Sequence, residues 1–288
     1  MRGYSPHMNH APLVIAHRGA SAYAPEHTFA AWDLALAMGA DYLEPDLQMT
    51  ADGVLVVLHD ATLERTVRGP AGACTGPVIE RTLAELAGCN AGSWFNEAFP
   101  DRARPAFAAE PVPTLEAVLA RYAGRTRFYV ETKHPEEAPG MEEALLALLD
   151  RFDLRRRAGR DWSVVIQSFS AASLAKLHAA DPTLPLVQLT EHGRADPAAV
   201  ADYAIGIGPY HADVTGELVA AAQRRCLEVH AYTVDEPARM AELIERGVSG
   251  LFTNRPDALV TLLGQRGTAR GGAPERAARA WRACRAGS

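Results

Sequence analysis

Short apolar segments and amphipathic segments alternate eight times along this chain, and this repetition limits the fold more than any other feature. The apolar segments are rich in Val, Ile and Leu, which is typical of buried β-strands, and the segments between them have helical periodicity. The strands are predicted to begin near residues 13, 42, 128, 163, 184, 204, 227 and 249. Eight such units over about 250 residues predict a (β/α)₈ TIM barrel. A doubly wound open sheet is the alternative, because alternation alone does not show closure.

Two stretches do not follow the repeat. After the second strand and a predicted hairpin arm at 54–59, residues 60–113 form an irregular insertion rich in Gly, Pro and aromatic residues. An insertion of this length predicts a small subdomain or lid at one end of a barrel that spans residues 11–264. Residues 265–288 contain six arginines and one glutamate, and we expect a frayed or loosely helical extension there.

Composition excludes several classes of protein. The net charge of −6 gives no basic surface for nucleic acid, and no apolar run approaches the roughly 18 residues of a membrane helix. No signal-peptide pattern is visible, so the sequence predicts a cytoplasmic protein without an integral membrane segment. The cysteines have no C-x-x-C spacing, and we expect reduced thiols. They are Cys74, Cys89, Cys226 and Cys284.

Charged side chains lie at or near the predicted carboxyl ends of strands, which meet at one mouth of a barrel. They are His17, Arg18, Glu44, Asp46, His59, Glu131 and Lys133. Taken singly, each has an ordinary structural explanation, such as a same-face ion pair between Glu131 and Lys133. Their combination at strand ends indicates a reaction site.

Glu44 and Asp46 are two residues apart in a strand, so their side chains point to the same face. Apolar neighbours argue against exposure, and two buried carboxylates repel each other unless something neutralises them. Together with Glu131 they form an all-oxygen set that suits a hard divalent cation, Mg²⁺ or Ca²⁺, with Mn²⁺ as a further candidate.

The remaining charged residues suit phosphate chemistry. Arg18 offers a planar fork and Lys133 a point charge, and both bind phosphate. His17 and His59 have side chains that can share acid and base work on opposite sides of a phosphorus atom. Three other histidines are interpreted as structural: His178, His211 and His230.

The segment "AHRGASAYAPEHTFAAWDLALAMGADYLEPDLQMTADGVLVVLHDATLERT" resembles the N-terminal signature of the glycerophosphodiester phosphodiesterases. "YVETKHP", "VVIQSF", "VHAYTVDEP" and "GVSGLFTNRPDAL" are similar to later segments of that family. The resemblance covers about residues 13 to 264. It implies a barrel, one divalent metal ion, and hydrolysis of glycerophosphodiesters to glycerol 3-phosphate and an alcohol.

The resemblance also implies a role for each matching residue. His17 and His59 match the acid–base histidines, and Arg18 and Lys133 match the phosphate-binding residues. The implied metal ligands are Glu44, Asp46 and Glu131. Without a free nucleophile among these residues, we expect the glycerol 2-hydroxyl to attack phosphorus and form a cyclic phosphate.

The chain departs from the family pattern at two places. It has Pro25-Glu26-His27-Thr28 where the family commonly has Pro-Glu-Asn-Thr, and Tyr232-Thr233 where Trp-Thr is frequent. We expect neither departure to touch the metal or the histidines, and both to affect the glycerol or alcohol pocket. Pro45 lacks an N–H, so we expect a locally unpaired or bulged strand between the two ligands.

The sequence leaves three alternatives to a glycerophosphodiester phosphodiesterase. The same site would cleave lysophospholipids if Trp94, Phe95 and Phe99 of the insertion lined an acyl groove rather than packing the lid on the barrel. A barrel aldolase would use Lys133 as a Schiff-base nucleophile, which leaves the carboxylates and histidines without a role. A non-catalytic binding protein is disfavoured because none of the family's active-site positions is lost.

Overall fold

The computed structural model describes residues 10–70 and 72–287, and a closed barrel of eight parallel strand positions forms its centre. Strand β1 pairs with β2 on one side and with β10 on the other, and β2 also pairs with β5, which closes the barrel. The predicted TIM barrel is therefore confirmed, and the open sheet is excluded. The strands are β1 Leu13–His17, β2 Tyr42–Glu44, β3 Asp46–Met49, β4 Leu55–Val57, β5 Arg127–Thr132, β6 Val164–Ser168, β7 Leu186–Thr190, β8 Gly206–Pro209, β9 Glu228–Ala231 and β10 Gly250–Thr253.

The second barrel position is split into β2 and β3 by Pro45, as the sequence predicts. Pro45 has no N–H to donate, but its carbonyl oxygen accepts a hydrogen bond from the Glu131 N–H at 3.0 Å. Strand β4 pairs antiparallel with β3 and forms the predicted hairpin arm. Gly53 has a φ of 79° in the turn between them, a backbone conformation that suits glycine. The interruption places Glu44 and Asp46 on two short strands, both paired with β5.

Helices connect the strands and cover the outside of the barrel. Thr114 caps its helix by accepting from the Ala117 N–H, as predicted, and Thr28, Ser170 and Thr215 cap theirs in the same way. The α-helices are α1 Phe29–Ala37, α2 Leu83–Leu86, α3 Ser93–Ala98, α4 Leu115–Tyr122, α5 Met141–Arg151, α6 Arg155–Asp161, α7 Ala171–Ala180, α8 Pro197–Val200, α9 Gly216–Gln223, α10 Pro237–Arg246, α11 Pro256–Gln265 and α12 Ala273–Ala286. The short 3₁₀ segments are Val78–Glu80, Pro100–Arg102, Pro105–Ala109 and His211–Asp213.

The insertion contains α2, α3 and three of the 3₁₀ segments, and its apolar side chains form a small cluster with Val56 of β4 and Leu58. Phe95 is fully buried and packs edge-on against Phe107, in a cluster with Ala24 and Ala31 of the barrel. Phe95 therefore packs the insertion onto the barrel, which is the expected alternative to an acyl groove. Phe99 is 40% exposed.

Helix α12 covers the lower end of the barrel, where the strands begin. Ala273, Ala277 and Ala278 are buried against the first residues of strands, including Leu13 and Tyr42. The extension expected to be frayed or loosely helical forms the helix α12, and these small residues give one face of it a close fit to the barrel floor. No helix among the described residues is both long and apolar enough to cross a membrane.

The expectation that the four cysteines are reduced thiols is wrong. The structure contains two disulfides, one joining Cys74 to Cys89 inside the insertion and one joining Cys226 to Cys284 of α12. Each pair has its Cα atoms 5.7 Å apart, within the range that a disulfide requires. The fold sets this distance, and the spacing of cysteines along the chain does not reveal it.

Candidate active site

The predicted site residues come together at the mouth of the barrel, around a cavity of about 380 Å³. His17 is the last residue of β1, Glu44 ends β2, Asp46 begins β3, and Glu131 is the penultimate residue of β5. The cavity is lined by His17, Arg18, Glu44, His59, Glu131 and Lys133, together with Gln167, Phe169, Leu189, Tyr210, His211, Tyr232, Thr233 and Phe252. The parallel strand ends thus bring residues from distant parts of the sequence to one cavity.

Glu44, Asp46 and Glu131 form a buried cluster in which one oxygen from each lies within 4.8 Å of the others. Burial and the charges of Asp46 and Glu131 raise the pKa of Glu44 well above its usual range. Burial and Asp46 also raise the pKa of Glu131 to about 8. Burial acts in the same direction on Asp46, but hydrogen bonding to His27 and the charge of Arg18 outweigh it and hold the pKa of Asp46 low. The cluster therefore concentrates more negative charge than its buried surroundings favour.

Asp46 has an oxygen that suits a cation. Its Oδ2 lies 2.8 Å from His27 Nε2 and 3.3 Å from Arg18 Nε. Its Oδ1 is buried and has no hydrogen-bond partner. A buried carboxylate oxygen without a partner is costly, and two neighbouring carboxylates increase the cost. This oxygen-only donor set fits Mg²⁺, Ca²⁺ or Mn²⁺.

Two cationic side chains border the carboxylates. Arg18 has a φ of 58°, and its backbone N–H donates to Glu44 Oε2 at 2.8 Å while its Nη1 donates to Glu26 Oε1 at 3.0 Å. Lys133 Nζ lies 2.9 Å from Glu131 Oε1 and 5.8 Å from the centre of the Phe169 ring. Burial opposes the charge of Lys133, but Glu131 and Asp46 outweigh it and raise the pKa of the ammonium. Both cations are thus held at the edge of the cavity.

His17 is held in one tautomer by residues that the sequence analysis did not identify. Its Nδ1 lies 2.7 Å from Asn254 Oδ1, which also accepts from Ser21 Oγ. Asn254 Nδ2 donates to Asp235 Oδ2 at 2.6 Å, so the amide orientation is fixed and Oδ1 faces the imidazole. Nδ1 therefore carries the proton and Nε2 the lone pair. Burial and the charge of Arg18 lower the pKa of His17 to about 3.

His59 is held differently. Its Nδ1 lies 2.6 Å from Asp60 Oδ1, and its carbonyl oxygen accepts from Gln48 Nε2 at 3.0 Å. Burial, followed by the charges of Arg18 and Lys133, lowers the pKa of His59, while Asp46 and Asp60 act in the opposite direction. The two histidines therefore have different partners, a neutral amide for His17 and a carboxylate for His59.

His27 corrects one expectation from the sequence. This departure from the family pattern was expected to lie away from the metal site, yet His27 Nε2 is 2.8 Å from Asp46 Oδ2. The side chain is buried, its Nδ1 has no hydrogen-bond partner, and its φ is 59°. No signal in the sequence reveals this contact apart from the departure itself.

Three further residues for which the sequence predicts a role are Tyr232, His211 and His230. Tyr232, the other departure, lines the cavity and donates from its hydroxyl to the Thr190 carbonyl oxygen at 2.8 Å. His211, interpreted as structural, also lines the cavity. His230 is buried with its Nδ1 2.7 Å from the Tyr129 hydroxyl, in agreement with a structural role. A second cavity, of about 620 Å³, adjoins the first along Glu131, Lys133, Phe169 and Tyr232.

The chain matches the model of the glycerophosphoryl diester phosphodiesterase family over residues 17–258. It belongs to this family. A glycerophosphodiester phosphodiesterase of Bacillus subtilis is 45% identical over 251 residues, which cover 85% of this chain and 84% of that protein. A protein of the same name from Caldanaerobacter subterraneus is 34% identical over 256 residues, covering 87% of this chain and 97% of its own.

Solved structures of the family share the fold. The crystal structure of a glycerophosphodiester phosphodiesterase from Agrobacterium tumefaciens matches with a TM-score of 0.71 and 31% identity. The match covers 87% of this chain and 99% of that one. The barrel fold is therefore shared with that structure.

Proposed function

We propose that this chain hydrolyses glycerophosphodiesters to glycerol 3-phosphate and an alcohol, and that it needs one divalent cation. The observation that carries the proposal is a single cavity lined by two carboxylates of the buried cluster, two cations and the two candidate acid–base histidines, His17 and His59. The names of the relatives support the same reaction class.

Glu44, Asp46 and Glu131 would hold the cation, and the unpartnered Asp46 Oδ1 supports this assignment. Mg²⁺ or Ca²⁺ fits the oxygen ligands best, with Mn²⁺ as the third candidate. When bound, the ion would supply positive charge that favours ionisation of a glycerol hydroxyl and offsets the charge on the phosphate. Arg18 and Lys133 would hold the remaining phosphate oxygens.

The hydrogen bonds favour His17 as the base and His59 as the acid. The side-chain oxygen of Asn254 holds the His17 proton on Nδ1, so the lone pair is on Nε2. Arg18 Nε donates to this lone pair at 3.2 Å, and binding of the phosphate by Arg18 would free it to accept a proton. At His59 the Asp60 carboxylate is placed to stabilise an imidazolium, and the anionic phosphate would add to that effect.

The substrate supplies its own nucleophile in this scheme. The glycerol 2-hydroxyl oxygen bonds to phosphorus as the bond from phosphorus to the alcohol oxygen breaks. The hydroxyl proton passes to His17, and the leaving oxygen takes a proton from His59. Water then opens the cyclic 1,2-phosphate while the two histidines exchange roles, which yields glycerol 3-phosphate.

Two alternatives remain distinguishable. The cavity of about 620 Å³ beside the site, with Phe169 42% exposed, has room for a larger alcohol and keeps lysophospholipids as candidate substrates. An aldolase would need a neutral Lys133 amine, whereas Lys133 is ion-paired with Glu131. Borohydride trapping with a carbonyl substrate would reveal a Schiff base, and we expect none.

We also propose that residues 11–264 form the catalytic barrel, with 60–113 as its insertion, and that residues 265–288 are an extension that covers the barrel floor.

Disulfides are rare in proteins of the cytosol and persist in oxidising compartments. The two disulfides thus weigh against the cytoplasmic location expected from the sequence, and we propose an oxidising compartment instead.

A diester panel tests the reaction. Purified protein is incubated with glycerophosphodiesters of several alcohols and with a lysophospholipid, with EDTA or with Mg²⁺, Ca²⁺ or Mn²⁺. We expect EDTA to abolish turnover and one of the ions to restore it, and full activity of the metal-free protein would contradict the proposal.

A 2-deoxyglycerol diester tests the cyclic route, because it lacks the internal nucleophile. Its hydrolysis at the rate of the natural diester would exclude that route.

A further inference from the structure

Arg65, a residue of the insertion outside the active-site cavity, joins two acidic side chains that each hold a group of the proposed reaction. Its Nη1 donates to Glu26 Oε2 and its Nη2 donates to Glu26 Oε1, each at 2.8 Å. Its Nε lies 2.5 Å from Asp60 Oδ2, and Nη2 also donates to Asp60 Oδ1 at 3.1 Å. One guanidinium therefore forms two-point contacts with two carboxylates.

The Glu26 side of this bridge leads to the phosphate-binding arginine. Glu26 Oε1 accepts from Arg18 Nη1 at 3.0 Å as well as from Arg65. The Glu26 side chain is only 11% exposed and lies between the two guanidinium groups. Fixing Glu26 therefore restricts where the Arg18 fork can point.

The Asp60 side leads to the proposed general acid. Asp60 Oδ1 lies 2.6 Å from His59 Nδ1 and is held on its other side by Arg65. A carboxylate in this position selects the imidazole tautomer and sets the orientation of the ring. Without Arg65, Asp60 would be free to rotate towards solvent and release His59.

We propose that Arg65 is a positioning residue that aligns Arg18 and His59 on the same phosphate, so that the insertion takes part in the reaction. This inference rests on the proposed function. An exposed ion pair alone contributes little to stability, and Arg65 is 42% exposed. The Arg65 contacts differ from such a pair because both partners are less exposed than Arg65 and each is bonded to a second functional group. A lysine has one charged nitrogen and cannot reproduce the fork.

The test compares Arg65→Ala with Arg68→Ala. Arg68 is the control three residues away in the same insertion, and it is 35% exposed. Its Nε lies 2.9 Å from Glu97, and its Nη1 donates to the backbone carbonyl oxygens of Glu64, Arg65 and Val67, so it contacts no side chain of the site. We expect Arg65→Ala to lower kcat/KM by about 10²-fold, as expected for misplaced reacting groups. The fall should be in kcat more than in KM, with a melting temperature no lower than that of Arg68→Ala. Added guanidinium ion should restore part of the activity of Arg65→Ala only, and Arg65→Lys should lie between wild type and alanine.

A second measurement separates this inference from the proposed function. Nitrogen-15 NMR of the histidine side chains reports the tautomer of His59 without any turnover. We expect an Nδ1–H signal for His59 in wild type and Arg68→Ala, and its loss or exchange averaging in Arg65→Ala. An inactive wild-type enzyme would refute the proposed function but leave the NMR comparison intact. Equal activity of the two alanine variants, or equal His59 spectra, would overturn the role of Arg65.

Discussion

The two ends of the barrel both bury charged side chains, but they neutralise them differently. At the floor, Glu228 is the first residue of β9, and its Oε2 lies 3.4 Å from His10 Nε2. Burial opposes both charges, yet the pair raises the pKa of His10 and lowers the pKa of Glu228. The buried carboxylate at the floor thus has a cationic partner within the chain, although Glu228 Oε2 and His10 Nε2 form no hydrogen bond.

The charges at the mouth are not balanced within the chain. Three buried carboxylates face two cations there, and the pKa values of Glu44 and Glu131 move upwards, against ionisation. Removing one partner of a buried ion pair is strongly destabilising, and the excess charge of this cluster supports the proposal that it binds a cation. Burial alone therefore does not mark the site. The uncompensated charge distinguishes it, in keeping with the proposed cation.

The largest difference between the two ends should appear when a histidine is replaced. His17→Gln should reduce kcat by about 10²–10⁴-fold, because it removes the proposed base. His230→Gln, which alters a buried histidine bonded to Tyr129, should reduce stability and leave kcat per folded molecule within a few fold of wild type. Steady-state kinetics with a folded-fraction correction checks both. Equal losses would show that the mouth histidine has no special role.

The floor pair predicts a pH-dependent stability. At about pH 6, His10→Leu should lower the free energy of unfolding by about 3–5 kcal/mol, because Glu228 is left without its partner. The pKa of His10 is raised in the folded protein, so its contribution is complete below the ordinary value of 6.5 and is lost as the pH rises through the folded-state pKa. Glu228 contributes above its ordinary value of 4.5 and loses this contribution as the pH falls through its lowered pKa.

The cost of His10→Leu should therefore be smaller at about pH 9 than at about pH 6, because His10 contributes less as the pH rises through its raised pKa. Arg276 is the other charge that acts on His10, and it opposes protonation. Urea unfolding at both pH values measures the difference. His192→Leu is the control, because it removes an exposed pair with Asp213 and should cost little at either pH. A cost for His10→Leu that does not change with pH would contradict the ion pair.

The disulfides predict a smaller change in stability. Cys284→Ser releases a cross-link between residues 58 apart and should cost about 2–4 kcal/mol. Cys89→Ser releases residues only 15 apart, and the loop-closure difference makes its cost about 1 kcal/mol less. Because α12 lies at the floor, Cys284→Ser should leave kcat unchanged. Denaturant unfolding and kinetics check this, and a loss of kcat would link the floor to the mouth.

The smallest effect concerns His27, which supports the carboxylate cluster. His27→Leu should weaken metal binding about 10–100-fold, the range typical of side chains that hold a ligand in place. His27→Asn restores the residue common in the family and keeps a donor, so it should lose less. Calorimetric titration with Mn²⁺ measures both. Unchanged affinity in His27→Leu would show that Asp46 needs no support from this hydrogen bond.

Much of this could be predicted from the sequence, because the information is local. The eight apolar segments predict the barrel, and the strand-end positions of His17, Glu44 and Glu131 predict the mouth. Pro45 predicts its own strand break, since a missing N–H acts wherever the residue lies. Each of these features depends on periodicity or on the chemistry of one residue.

The remaining features depend on contacts between distant residues. Asn254 meets His17 across 237 residues of sequence, and Arg270 of the tail meets Asp41 across 229. The disulfides, the docking of α12 and the contact between His27 and Asp46 also depend on distances that only the folded chain sets. Sequence periodicity contains no measure of these distances, so the partners of the site residues could not be predicted with the residues themselves.

The most direct test of the account is a calorimetric titration of metal-free protein with Mn²⁺, Mg²⁺ and Ca²⁺. The wild type is compared with Asp46→Asn at the mouth and with Glu228→Gln at the floor, both of which remove one buried carboxylate charge. We predict one bound ion per wild-type chain, an affinity loss for Asp46→Asn beyond the 10–100-fold typical of outer partners, and wild-type affinity for folded Glu228→Gln. Wild-type affinity in Asp46→Asn, or an equal loss in both variants, would contradict the claim that the mouth cluster binds the cation.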